Sequence, residues 1–161
     1  YAVSGDPCWA TWPDAGVWLT LQAWEQHLFA PDAGMLRERL WPLLEATARF
    51  ALSWIVDDGE HAWTSPSTSP ENRFIDRDGV PRALTTSATM DVALLRGLTL
   101  ACTAAAAQLG RADAWVGTLR EVTDRLPDPS VGQDGALLEW TGDLPQAEPE
   151  HRHLSHLVGL F

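Results

Sequence analysis

Glu71 is the residue of this chain best placed to do chemistry. It ends the string Pro66-Ser67-Thr68-Ser69-Pro70-Glu71, and a carboxyl behind a proline can be held rigidly, drawn out of bulk water and kept protonated near neutral pH. That is the state a general acid needs. From the residues alone, a solvated loop glutamate with an ordinary pKa is the commoner outcome. Its neighbour Asn72, the only asparagine in the chain, either donates to a sugar hydroxyl or steadies the turn.

A second cluster, His151-Arg152-His153-Leu154-Ser155-His156, lies 80 residues downstream. Imidazoles at i, i+2 and i+5 can converge on a metal only where the backbone is irregular, and a single helix would put His151 and His153 on different faces. The spacing is not H-E-x-x-H. The cluster therefore reads as a polar patch facing a ligand, with no metal and no cofactor, and Arg152 offers a fork of donors to sugar hydroxyls or an ordinary salt bridge. Nine tryptophans add a third signal, because an indole face matches the apolar face of a pyranose ring and brings an N–H donor with it. Trp9, Trp12, Trp63 and Trp140 lie near loop ends, where some are expected to be exposed or to line a cleft, and Trp12 is the preferred stacking residue. Trp18, Trp24, Trp41, Trp54 and Trp115 fall on helical stripes and are expected in the core.

The absence of G-x-S-x-G, P-loop and dinucleotide patterns disfavours serine-hydrolase, nucleotide and nicotinamide chemistry. A net charge of −11 over 161 residues argues against nucleic acid, whose binding needs a basic surface, and fits a neutral small ligand better. No apolar run approaches the ~20 residues that cross a bilayer; even residues 50–56 are interrupted by Ser53. All 11 basic residues are arginine, which reads as the bias of a GC-rich bacterial genome. Cys8 and Cys102 have no metal or redox spacing and are expected to be small core residues. The chain begins without Met and ends on an apolar run, as a piece cut from a longer protein would.

The elements that must position these residues are helical. Val17, Trp18, Leu21, Trp24 and Leu28 recur at helical spacing over residues 15–29, after the start signal Pro13-Asp14. A second helical segment begins near Asp32; Pro42 is expected to open a fresh helix within it, and Asp57-Asp58-Gly59 to close it. Residues 60–79 lose periodicity and read as a long irregular loop, a kind of segment that is uncommon in compact domains and usually functional when real. A third helix is expected from Ser87 to a Gly110 stop and a fourth over residues 113–126, with one or two short strands over residues 133–140. The result is two αα-hairpins joined by long loops.

Five strings, Trp12-Pro13-Asp14-Ala15-Gly16-Val17-Trp18-Leu19, Pro66-Ser67-Thr68-Ser69-Pro70-Glu71-Asn72, Thr89-Met90-Asp91, Leu138-Glu139-Trp140 and His151-Arg152-His153-Leu154-Ser155-His156-Leu157, together resemble glycoside hydrolase family 95 in order and spacing. The resemblance implies an all-α chain whose αα-hairpins form part of an (α/α)6 toroid with long loops and a minor β-hairpin, residues 1–161 being one segment of a single catalytic domain. It implies an inverting exo-hydrolase that releases terminal α1,2-linked L-fucose from a fucosylated oligosaccharide. Two alternatives stand beside it: an α-L-galactosidase of the same family and a non-catalytic helical carbohydrate-binding module. The resemblance assigns Glu71 as general acid and Trp12, Asn72, Arg152 and His153 to the sugar subsite. It places Glu71 in one pocket with at least one of Arg152, His153 and Trp12. The N-Y-W and I-D-G-N-F-G segments that usually flank this stretch are missing from the chain, which puts the general-base system in the remainder of the parent chain.

Overall fold

The computed structural model describes residues 5–160. A short helix α1 (Pro7–Ala10) starts where the Asp6 carboxyl accepts from Cys8 N at 2.9 Å, with Pro7 in the first turn. Helix α2 (Ala15–Phe29) follows, then α3 (Ala33–Met35), a π-turn (Leu36–Leu40) and α4 (Trp41–Trp54). Pro42 stands in the first turn of α4, as expected, but the chain is already helical ahead of it. The backbone stays helical from Leu36 through Trp41, and Trp41 N–H reaches five residues back to Leu36 O. The widened turn lies just ahead of the residue that has no N–H to give, so the helix passes the proline.

The segment expected to be irregular is largely built. Helix α4 ends at Trp54, and β1 (Ile55–Asp57) pairs antiparallel with β2 (Ala62–Thr64). Asp57-Asp58-Gly59 thus ends β1 and opens the hairpin loop instead of stopping a helix: Gly59 takes φ +92°, and Asp58 Oδ1 accepts from the N–H groups of Glu60 and His61. A second ladder pairs β3 (Phe74–Ile75) with β4 (Pro81–Arg82). Thr64 at the end of β2 and, between the ladders, Ser67, Thr68, Ser69 and Asn72 are buried. Their hydroxyls and amide find partners inside the protein, which is why a polar sequence packs. The strands expected over residues 133–140 reduce to a single bridge, Val131 with Leu137.

Helix α5 (Thr89–Leu109) starts two residues later than expected and ends at Gly110, whose φ of +63° makes the left-handed cap. Helix α6 (Ala114–Thr123) stops three residues short of the expected end; Asp113 caps it without a side-chain bond because its carboxylate pairs with Arg111. A 3₁₀ segment (Ser155–Leu160) then packs on α5. At 21 residues α5 is long and apolar enough to cross a bilayer by length and composition, which corrects the expectation that no segment reaches that size. Here it is the central core helix, touching α2, α4, α6 and the 3₁₀ segment.

Val17, Trp24, Leu40, Trp41, Leu44, Ala48, Leu95, Leu98, Cys102 and Leu119 make up much of the core. Buried hydroxyl pairs pin the interfaces: Thr20 and Thr47 meet at 2.9 Å between α2 and α4, and Thr99 and Thr123 at 3.0 Å between α5 and α6. At Gly97 a Cβ would stand 3.2 Å from Leu21 Cδ1, so α5 and α2 approach closely there. The two helical hairpins thus form one packed unit with two small two-stranded sheets. Trp18 departs from expectation: it is 38% exposed because α2 turns Val17, Thr20, Trp24 and His27 inward. Of the four tryptophans near loop ends, Trp9 is exposed, whereas Trp140 is 2% exposed with its ring edge-on to Phe74.

Candidate active site

Glu71 stands at the apex of a tight turn. Asn72 N–H closes it by donating to Ser69 O at 3.0 Å, leaving Pro70 and Glu71 as the two central residues. Proline is preset for the first of these, but Glu71 is left-handed at φ +59°, a position that turns normally give to glycine. An L-residue there costs roughly 1–2 kcal/mol and persists only where its surroundings over-determine it. Such a conformation at a carboxylate marks the turn as more than a connection.

The downstream cluster meets it. His153 Nε2 lies 2.8 Å from Glu71 Oε2, and Arg152 Nη2 donates to the same oxygen. His151 stands beside them, its ring 5.2 Å from that of His153 and its Nδ1 3.6 Å from Glu148 Oε2. Residues 80 apart in sequence thus form one polar constellation. The His153 hydrogen bond, with the nearby Arg152 charge, holds the Glu71 carboxyl below the usual glutamate range. This corrects the expectation of a carboxyl withdrawn from water and protonated: the Glu71 side chain is about a third exposed, and cations dominate over burial.

The other expected site residues stand further back. Trp12 is half-buried with its ring 5.9 Å from Trp18, and Thr68 Oγ1 donates to Thr11 O at 2.6 Å, tying this stretch to the Glu71 loop. Asn72 is buried, its Nδ2 donating to Glu139 Oε2 at 2.6 Å and its Oδ1 accepting from Arg73 N. Its amide therefore works inside the turn. Among the described residues no group of three metal-ligating side chains gathers.

Residue-level reading of the sequence missed two features behind the loop. Glu139 is buried and accepts from Ser69 Oγ at 2.5 Å as well as from Asn72; a lone carboxylate inside Leu137-Leu138-Glu139-Trp140 was the available signal. Asp14 and Asp91 form a buried carboxyl pair. Thr64 Oγ1 donates to Asp91 Oδ2 at 2.7 Å, while Oδ1 of Asp91 and both Asp14 oxygens lack a partner of full hydrogen-bond geometry. Burial first, and then the neighbouring Asp91 charge, pushes Asp14 up to about 8; burial raises Asp91 to about 6. At neutral pH the pair holds one proton, and it fastens the start of α2 to the start of α5.

The family model described as the glycosyl hydrolase family 95 catalytic domain matches residues 1–161. Alpha-L-fucosidase 2 of Arabidopsis thaliana is 37% identical over 160 residues, covering 98% of this chain and 19% of that protein. Probable alpha-fucosidase A of Aspergillus niger is 24% identical over 174 residues, again covering 19% of its length. The chain spans about a fifth of the relatives it matches. With a strained glutamate, an arginine and a histidine converging in a helical segment that the family model matches from end to end, this chain belongs to glycosyl hydrolase family 95, as part of its catalytic domain.

Proposed function

We propose that the protein carrying this segment is an inverting exo-α-L-fucosidase that removes terminal α1,2-linked L-fucose from glycans, with Glu71 as its general acid. The two hairpins would be part of an (α/α)6 toroid completed by the remainder of the chain. The observation that carries the reading is the meeting of Glu71 with Arg152 and His153, 81 and 82 residues away in sequence. Arg152 and His153 each hold N–H donors suited to sugar hydroxyls, and Trp12 supplies a ring for the wall of the subsite.

The chemistry runs through the Glu71 proton. As folded, Glu71 is held ionised by His153 and Arg152. Sugar hydroxyls that accept from those two side chains draw their donors off the carboxylate, so its proton affinity rises as substrate enters. The protonated carboxyl then gives its proton to the departing glycosidic oxygen. Inversion requires a base carboxylate system about 6.5–9.5 Å away, with room for water between; the rest of the protein supplies it.

The test is Glu71→Gln in the full-length protein. The amide keeps the shape and loses the proton, so hydrolysis of a fucosyl-galactose should fall by about 10²–10⁴-fold, while α-L-fucosyl fluoride, which departs with little proton assistance, should keep far more of its rate. Equal loss on both substrates would make Glu71 a structural or binding residue.

A further inference from the structure

We infer that Glu139 is a positioning residue: its buried carboxyl holds both ends of the turn that presents Glu71. The two oxygens of Glu139 divide the work, Oε1 accepting from Ser69 Oγ at 2.5 Å and Oε2 from Asn72 Nδ2 at 2.6 Å. Ser69 and Asn72 are the first and last residues of the turn, joined to each other by the Asn72 N to Ser69 O bond. Glu71 lies between them in its left-handed conformation, so the carboxyl beneath fixes the two anchors from which the strained residue is suspended.

Glu139 is itself anchored. Thr89, the first residue of α5, donates from N to Glu139 O at 3.1 Å and from Oγ1 to Leu138 O at 2.6 Å. The chain of support therefore runs from the core helix through Glu139 to Ser69 and Asn72, and from there to Glu71. Glu139 is 4% exposed, and a carboxyl is a poor choice for that site on packing grounds, since a buried charge is costly and an apolar residue of similar volume is often as stable. What the carboxyl adds is two acceptors at the spacing of the turn's two donors. His156, whose Nδ1 lies 3.9 Å from Glu139 Oε2, brings the His151–His156 stretch against the same carboxyl, so Glu71 and the residues that meet it are referenced to one buried group.

This inference rests on Glu71 being the general acid, and its test separates the two claims. In the full-length protein, Glu139→Gln offers one acceptor where two were used, so Ser69 or Asn72 loses its hold and the turn loosens. A misplacement near 1 Å can cost about 10²-fold. Hydrolysis of a fucosyl-galactose should therefore fall by roughly 10–100-fold, the rate on α-L-fucosyl fluoride should fall several-fold less, and KM should change little. Ser69→Ala, which removes one hydroxyl and no charge, should show the same selectivity in weaker form and decides the matter if Glu139→Gln does not fold. Equal losses on both substrates, or no loss, in a background where Glu71→Gln is selective would overturn the positioning role. Absence of selectivity in Glu71→Gln itself would overturn the general-acid reading, and this inference with it.

Discussion

The buried Asp14–Asp91 pair makes the stability of this segment depend on pH in a direction opposite to that of most carboxylates. An aspartate has a pKa near 3.8 when exposed, whereas folding lifts Asp14 to about 8. From about pH 5 to 7 the unfolded residue is ionised and the folded one keeps its proton, so folding takes up about one proton. Stability then falls by about 1.4 kcal/mol per pH unit, or roughly 3 kcal/mol over two units; Asp91, raised to about 6, adds to the slope only at the acid end. The carboxylates held low by cations or backbone N–H groups, namely Asp6, Asp57, Asp58, Glu71, Asp76 and Asp113, act in the other direction. Their stabilisation is lost only as pH falls below the ordinary carboxylate range, outside this window. Asp14→Asn keeps the shape, offers Asp91 an N–H donor as the protonated acid does, and cannot titrate. Urea melts of the full-length protein followed by tryptophan fluorescence should show the variant gaining on the wild type by roughly 2–3 kcal/mol between pH 5 and 7. Parallel profiles for the two proteins would refute the shared-proton pair.

Removing the Arg152 charge by Arg152→Gln should let the Glu71 carboxyl rise toward its ordinary range, since that cation helps to hold it down, and the alkaline limb of kcat/KM should move to higher pH; an unmoved limb would separate Arg152 from the acid. The Cys102 thiol, buried on α5 and pushed up to about 12, should resist iodoacetamide in the native protein at pH 8 and react once the chain is unfolded. Modification under native conditions would show that the core around α5 opens.

Local chemistry in the sequence determined the elements whose signals are self-contained. The apolar spacing of residues 15–29 produced α2 with those bounds, and Gly110 ended α5 because a left-handed cap is what glycine permits. Where a signal depended on partners far along the chain, the tertiary structure decided. Trp18 and Trp140 have the same chemistry, yet packing exposes one and buries the other, because helical period fixes which residues share a face and not which face another element covers. Pro42 is carried inside a helix by a π-turn that no propensity announces. Thr64, Ser67, Ser69 and Asn72 read as loop because they are polar, and they are buried because Ser87, Ala88, Asp91 and Glu139, 20 to 70 residues away, supply their partners. Glu71 was legible from its string, but its ionisation was not: proline before a carboxyl says nothing of the cations that fold against it. The left-handed backbone of Glu71 and the clamp beneath it exist only once Ser69, Asn72 and Glu139 are brought together, since hydrogen bonds between distant residues leave no periodic trace in the sequence.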